Sequence, residues 1–316
     1  PVCRTLADVR AEVVRLRREV IAAAARDGNR IAAAGTHPFA RAEEQRTTPK
    51  ERYEEMAQLY TELGRELLIF GCHVHVGLAD PAAGIGVLNR ARPWLAPLLA
   101  LTANSPFWEG ADTGYASYRT EVWVRWPLAG PPLPLASRDE YDALVRALVA
   151  TGAIQDASRI YWDLRLPEKT ETVEFRVGDV SAMIDEAVMQ AGLCRALAWT
   201  CTEWEERGEP SATVRPELLR AAHWRAARYG LEGELIDVVD QQSVPAAELI
   251  HRLLAFVRPA LEAQGDWDEV SWLVEETLGR GNGATRQRAA YRRAGRLEDV
   301  VDLLVEETAR GTGAPA

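Results

Sequence analysis

Apolar residues recur at helical spacing between Arg and Glu from 5 to 25, at Leu6, Val9, Val13, Leu16, Val20 and Ala24, so the chain is predicted to open with an amphipathic helix. Residues 30–39 read as a strand ending in Gly35-Thr36-His37-Pro38. Thr48-Pro49-Lys50-Glu51 has the form of a cap with proline in the first turn, opening a helix through 67. Residues 71–77 follow as an apolar, β-branched strand, and 81–101 as an apolar helix. Residues 112–119 read as loop, 127–134 as a proline-rich connection and 137–151 as a helix with Asp and Glu in its first turn. Residues 160–166 and 172–177 pair as strands across 167–171, a hairpin turn. From 181 onward the pattern is almost wholly helical, ending with helices at 270–278 and 297–308. Strands and helices are mixed first and helices follow, without regular βαβ alternation. The predicted class is therefore α+β, an antiparallel sheet flanked by helices with a helical C-terminal half.

Two strands carry polar residues where an apolar face would be expected. In Gly71-Cys72-His73-Val74-His75-Val76-Gly77 the histidines are two apart and share a face, as do Glu174 and Arg176 in Thr172-Val173-Glu174-Phe175-Arg176-Val177. Burying imidazole, carboxylate and guanidinium together costs free energy unless they pair or hold a ligand, and a metal with a phosphate would satisfy all four. The alternatives are histidines of core or surface and a salt bridge along a strand face. Tyr161-Trp162-Asp163-Leu164-Arg165 repeats the acid-x-Arg pattern, so two strands could build a polar floor of two acids and two guanidinium groups, whose planar forks suit phosphate or carboxylate. His37 stands at a strand end, where it meets substrate or is held by its own turn. Trp108, Glu109, Asp112, Tyr115 and Arg119 form a loop cluster that is either a binding lid or a packed surface loop. His223 and His251 are expected on helix surfaces, and most of the ten tryptophans in the core.

Among 316 residues, 47 are acidic and 37 basic, a net charge of -10 that disfavours nucleic acid and anionic lipid surfaces and suits divalent cations. No run of apolar residues is long enough to span a membrane and no apolar signal stretch opens the chain, so a cytoplasmic protein with no membrane partner is expected. Cys3, Cys72, Cys194 and Cys201 lack metal-ligand spacing, which fits a reducing compartment. There is no internal repeat and no phosphate-binding or dinucleotide fingerprint, and residues 279–283 read as a turn. The opening Pro1 runs straight into a helical pattern, so it is not expected to be the start of the natural protein.

Taken together, Gly35-Thr36-His37-Pro38, the His73/His75 strand, Ser105-Pro106-Phe107-Trp108 with Asp112 to Ser117 and Arg119, and the Glu174/Arg176 strand resemble the type 2 glutamate–cysteine ligase family, the YbdK-like carboxylate–amine ligases. The segment from Arg286-Gln287-Arg288 to Val301 resembles that family too, so the similarity runs in order along essentially the whole chain. A more distant similarity is to glutamine synthetases, whose catalytic domain has comparable His-x-His and Glu-x-Arg strands. The resemblance implies a glutamine synthetase-like catalytic fold and ATP-dependent amide formation, in which the γ-carboxylate of glutamate is phosphorylated and the amine of cysteine or a similar acceptor displaces phosphate. It implies Mg2+ (or Mn2+) held by His73 and Glu174, and Arg176 stabilising the transferring phosphoryl group and binding nucleotide. It further implies His75 on nucleotide or phosphate, Arg119 and Arg165 as catalytic substrate or phosphate contacts, and His37, Trp108 and Tyr115 as substrate contacts. A homodimer is expected by the same analogy.

Family members begin with a strand bearing a Glu-x-Glu-type motif and a further upstream Glu. Nothing in residues 1–30 replaces these, because Glu12 and Glu19 lie on the polar stripe of the first helix. Residues 1–316 are therefore expected to be a single carboxylate–amine ligase catalytic domain lacking its first strands, with 309–316 a disordered tail. The alternative is a catalytically silent relative that binds nucleotide or a partner without turnover. A metal-dependent hydrolase with His-x-His on a strand ranks last, since the later histidines sit in helical segments.

Overall fold

The computed structural model describes residues 1–45 and 48–314. The chain opens with α1 (Leu6–Arg26), followed by α2 (Glu51–Tyr60), α3 (Glu62–Arg65) and strand β1 (Val74–Gly77). Helices α4 (Gly84–Ala91) and α5 (Leu95–Thr102) lead to the hairpin β2 (Phe107–Trp108) and β3 (Ala111–Asp112), then α6 (Tyr118–Trp123), β4 (Ala129–Gly130) and α7 (Arg138–Ala150). Strands β5 (Tyr161–Trp162), β6 (Leu164–Arg165) and β7 (Thr172–Phe175) precede α8 (Ile184–Glu206) and α9 (Pro216–Tyr229). A second hairpin, β8 (Glu234–Asp237) and β9 (Gln242–Pro245), separates these from α10 (Ala246–Gln264), α11 (Trp267–Arg280), α12 (Gly283–Ala294) and α13 (Leu297–Ala309). The architecture is the α+β arrangement that the patterning predicts.

The three-stranded sheet has the order β1-β7-β6 and is antiparallel throughout. One face is apolar: Leu164, Val173 and Phe175 are fully buried, and Val74 and Val76 pack against the same core. That core is built mainly from α4, α5, α8 and α10, and α8 supplies its centre through Val188, Met189, Leu193 and Leu197. The other face carries the polar residues of the same strands, because successive strand side chains alternate sides.

Several elements differ from expectation for identifiable reasons. The first helix forms and is capped by a reciprocal pair, Thr5 and Asp8, but Leu16 and Val20 are exposed. Arg17 turns inward instead, donating to the carbonyls of Ser181 and Ala182 at 2.6 Å each. Residues 30–39 do not form a strand; apart from a bridge between Thr36 and Ile69 they are irregular. The helix predicted over 48–67 breaks at Thr61, whose φ of 47° lies in the left-handed region. The β8–β9 hairpin, within a stretch read as helical, is turned by Asp237, whose carboxylate accepts from the backbone of Val239 and Asp240. The expected disordered tail is ordered through Ala314: Thr312 is buried, and its carbonyl accepts from Arg18 Nε at 2.7 Å. Pro315 and Ala316 lie outside the described residues. Among the tryptophans, Trp199, Trp204, Trp224 and Trp272 are exposed rather than core.

Cys3, Cys72, Cys194 and Cys201 are all free, the last two buried. Among the described residues no helix is long and apolar enough to cross a membrane.

Phe175 is the largest buried side chain on the inner face of β7. Phe175→Ala is expected to lower the unfolding free energy by about 3–5 kcal/mol, read by chemical denaturation. A loss under about 1 kcal/mol would show that this face is not part of the core.

Candidate active site

Strand register decides which polar side chains meet. His75 pairs with Glu174, and Glu174 pairs on its other side with Arg165, so these three form one row across β1, β7 and β6. His73 and Arg176, one step further along, form the next row, where the backbone N–H of Arg176 donates to the carbonyl of Asp163 at 2.7 Å. The four groups singled out by spacing thus do converge on one face, with Arg165 as a fifth.

Glu174 is the hub. Its Oε2 accepts from Arg165 Nε at 2.6 Å and its Oε1 from Arg176 Nη1 at 2.6 Å. His73 Nδ1 lies 3.2 Å and His75 Nε2 3.6 Å from the same Oε1. The Glu174 side chain is only 2% exposed, against 36% for His73 and 44% for His75, so a buried carboxylate lies beneath imidazoles that face solvent. β1 is an edge strand whose burial alternates along its length, which corrects the expectation of a buried His-x-His strand.

Electrostatics follow from this packing. Burial alone would raise the Glu174 carboxyl, but hydrogen bonds from His73 and Arg165 and the charges of Arg176 and Arg165 outweigh it and hold the group well below the usual carboxylate range. His73 is pushed down, first by burial and then by the charges of Arg176 and Arg119 against the raising effect of Glu174, which favours neutral imidazole. Arg176 is lowered by burial and by the neighbouring charge of Arg165. Its guanidinium stacks over the Trp123 ring at 5.8 Å, and Trp123 packs with Trp126 and Tyr161 into an aromatic wall backed by α2 and α3. Its Nε is buried without a partner among the described residues, leaving a donor to spare.

Arg119 has a different place from the one expected. It is buried on α6 and donates to the carbonyls of Arg176 at 3.1 Å and Val177 at 3.3 Å, with Asp179 Oδ1 at 3.6 Å. It holds the backbone just beyond β7 from behind. Asp179 was not singled out from the sequence: it is fully buried, accepts from Ser105 Oγ, Ser117 Oγ and the Asn104 backbone, and its carboxyl is raised by burial against those contacts. The one hint of it in the sequence is that Arg119, if buried, needs a counter-charge. Gly71 permits this arrangement, because a Cβ there would collide with the Arg119 guanidinium.

Asp163 does not join the polar floor. It turns toward α9, where His223 Nε2 lies 3.3 Å from its Oδ2, and both residues are buried. His223, expected on a helix surface, is therefore interior, while His251 is exposed and paired with Glu275 at 2.8 Å. His37 is held by its own turn, its Nδ1 accepting from the backbone of Phe39 and Ala40. The Trp108–Tyr115 segment is a pinned hairpin: Glu109 and Gly110 both adopt positive φ in its two-residue turn. Arg288 of α12 donates to both oxygens of Asp112 and to the Tyr115 carbonyl. Arg228 donates to the Gly114 carbonyl and lies over the Tyr115 ring, while Trp224 Nε1 donates to the Tyr115 hydroxyl. Among the described residues none of His37, Trp108 and Tyr115 makes a hydrogen bond or ring contact with the Glu174 cluster.

Among the described residues no group of three or more His, Cys, Asp or Glu is arranged to hold a metal ion. His73, His75 and Glu174 approach such a set, yet both oxygens of Glu174 are occupied by guanidinium groups. A hard cation such as Mg2+ prefers several oxygen ligands. The residues present do not fit it.

The sequence model of glutamate–cysteine ligase family 2 matches residues 1–303, and the chain belongs to that family. A protein of Frankia alni carrying the provisional name glutamate–cysteine ligase 2-2 is 49% identical over 304 residues, covering 96% of this chain and 79% of the relative. A similarly named protein of Rhodopirellula baltica is 44% identical over 307 residues, covering 97% and 82%. Among solved structures, the glutamate–cysteine ligase of Francisella tularensis in complex with AMP superposes with a TM-score of 0.51 at 13% identity, covering 84% of this chain and 63% of that one. That likeness establishes the fold, which is glutamine synthetase-like as the sequence resemblance implies.

Glu174→Gln would leave two largely buried guanidinium groups without their shared counter-charge, and it is expected to cost about 3–5 kcal/mol at neutral pH. Because the folded carboxyl lies below its unfolded value of about 4.3, its contribution is complete above that pH and is lost as pH falls toward the folded value. The stability gap between wild type and variant in urea should hold near neutrality and narrow below about pH 4. A gap that stays constant into the acid range would contradict the ion cluster. Gly71→Ala is expected to cost about 1–3 kcal/mol in the same measurement, since Arg119 is fixed by two carbonyls and Asp179 and cannot swing aside freely.

Proposed function

We propose that the protein is an ATP-dependent carboxylate–amine ligase that joins glutamate, through a γ-glutamyl phosphate, to the amine of cysteine or a similar acceptor. The observation that carries this reading is the pair of guanidinium groups, Arg165 and Arg176, held side by side by one buried carboxylate on the solvent-facing side of a sheet. Membership of the glutamate–cysteine ligase family supports it, as do the names of the relatives, and an adenine nucleotide is consistent with the AMP bound in the solved structure of the same fold.

In the first step a γ-carboxylate oxygen of glutamate attacks the terminal phosphorus of ATP, the bond to ADP breaks, and an acyl phosphate forms. In the second, the amine nitrogen attacks the acyl carbon, the carbon–oxygen bond to phosphate breaks, inorganic phosphate leaves, and the amine gives up a proton to solvent. Phosphoryl transfer of this kind is catalysed chiefly by placement and by neutralising charge on the phosphoryl oxygens. Arg176 has a spare donor at Nε, and its Nη1 donates to Glu174 with His73 Nδ1 3.2 Å away, so it can turn hydrogen bonds toward an incoming phosphoryl group without leaving the cluster. Arg165 supplies the second positive charge. His73, favoured as neutral imidazole, can donate its one ring N–H to the same oxygens, and His75 stands at the solvent edge where nucleotide phosphates would arrive. Glu174 keeps the two guanidinium groups from repelling one another between turnovers. Arg119 acts as a positioning residue through the carbonyl of Arg176. A divalent cation would add charge neutralisation, but the residues present do not complete its site.

The test is phosphate release from ATP with glutamate and an amine, omitting each in turn. Release is expected only with all three, and Arg176→Ala should lower the rate by about 10²–10³-fold while nucleotide still binds. Release that ignores glutamate would remove the reading. Nucleotide binding without release under any acceptor would point to a family member that keeps the fold and has lost turnover.

A further inference from the structure

The backbone of Arg176 is held on both sides. Its N–H donates to the Asp163 carbonyl at 2.7 Å, and its carbonyl accepts from Arg119 Nη2 at 3.1 Å. On the carbonyl side the hold continues from Arg119 to Asp179, from Asp179 to the Ser117 hydroxyl at 2.8 Å, and from the Ser117 N–H to the carbonyl of Ala227 on α9 at 2.9 Å. On the N–H side it continues through Asp163 itself, whose Oδ2 lies 3.3 Å from Nε2 of His223, also on α9. His223 and Ala227 are four residues apart and share one face of that helix. Both arms end there.

That face is otherwise apolar, with Leu219, Ala222, Ala226 and Ala227 buried beside His223. An imidazole in such a place costs free energy unless it holds something. Its Nδ1 has no partner among the described residues, so the Asp163 carboxylate is what the ring has to meet. Burial, and after it the charge of Arg119, push His223 down against the raising effect of Asp163, which favours a neutral ring with one N–H. A proton on Nε2 faces the carboxylate.

We infer that His223, acting through Asp163, is a positioning residue that fixes Arg176 for the transferring phosphoryl group. The consequence for turnover rests on the ligase reading; the hold on the Arg176 backbone does not. The link is the double use of Asp163, whose carbonyl holds Arg176 while its carboxylate faces His223. Without the imidazole that carboxylate is buried with no donor, and turning it toward solvent breaks the bond from the Arg176 N–H. The Arg176 guanidinium keeps Glu174 and the Trp123 ring, so it stays in the cluster but is misplaced for the reacting oxygens. The loss falls on kcat and spares KM.

Amide hydrogen exchange of the whole chain, read by NMR, tests the hold directly. Gln places a donor nitrogen where the imidazole has Nε2, and Asn places one where it has Nδ1. His223→Gln should therefore leave the Arg176 amide as protected as in wild type, while His223→Asn should let it exchange about tenfold faster. His223→Leu should match Asn, and it stands in should the Asn variant not fold. Amides of α8, at the centre of the core, should exchange alike in all of them. An Arg176 amide unchanged in Asn and Leu, a Gln variant that behaves as Asn does, or a rise that α8 shares would overturn the inference. Phosphate release from ATP with glutamate and cysteine gives the second arm. In His223→Asn kcat should fall about tenfold with the KM for ATP within about twofold of wild type, and in His223→Gln kcat should recover. An unchanged kcat beside a loosened Arg176 amide would deny His223 its part in positioning. No release in wild type, with the exchange pattern as expected, would sink the ligase reading and leave His223 as the anchor of Arg176.

Discussion

The carboxylate of Glu174 is the constraint around which the rest is arranged. Two guanidinium groups lie at 2.6 Å from its two oxygens, and without it their mutual repulsion in a partly desolvated site would force at least one away. A buried carboxylate is itself costly, and here the cost is offset because both oxygens are bonded to cations and two imidazoles cover it from solvent. The carboxylate is fully partnered, and the guanidinium groups keep further donors that can meet an incoming anion without displacing Glu174.

Such a cluster works only if β7 cannot shift. Its inner face is anchored by Val173 and Phe175 in the main core, and its end is held by Arg119 through two carbonyls. Arg119 is fixed in turn by Asp179, which gathers Ser105, Ser117 and the backbone of Asn104, so the loop around the β2–β3 hairpin and the strand end form one hydrogen-bonded unit. The C-terminal helices complete it, since Arg228 and Arg288 clamp the loop at Gly114, Asp112 and Tyr115. The result is a cluster anchored from below by the core and open to solvent at its imidazoles.

Period-two alternation was enough to place His73 with His75 and Glu174 with Arg176, because both strands keep the alternation and a one-residue slip would have turned their polar residues into the core. It failed at Asp163. That residue sits between β5 and β6, where the chain leaves one short ladder and joins another, and its carboxylate is drawn to His223 instead of the shared face. His223 departs from expectation for a related reason: a histidine among charged helical residues looks solvent-facing until the helix packs against the interior, as α9 does here. Arg119 stands out in the sequence but its partners do not, since the sequence offers no measure of whether a guanidinium meets a ligand or a carbonyl. Residues 30–39 have strand composition without a strand neighbour, and composition alone does not make a ladder.

Local spacing in the sequence determined the class of fold, the two polar-faced strands and the hairpin between β6 and β7, because these depend on alternation, helical period and turn chemistry, all of which are short-range. Family membership was legible too, through motifs that keep their order along the chain. Tertiary structure alone decided the register that sets Glu174 between Arg165 and His75, the aromatic wall of Trp123 against Arg176, and the burial of Asp179 and His223. Those depend on which segments a hundred residues apart come into contact, and contact at that distance is settled by packing of the whole core, which no local pattern records.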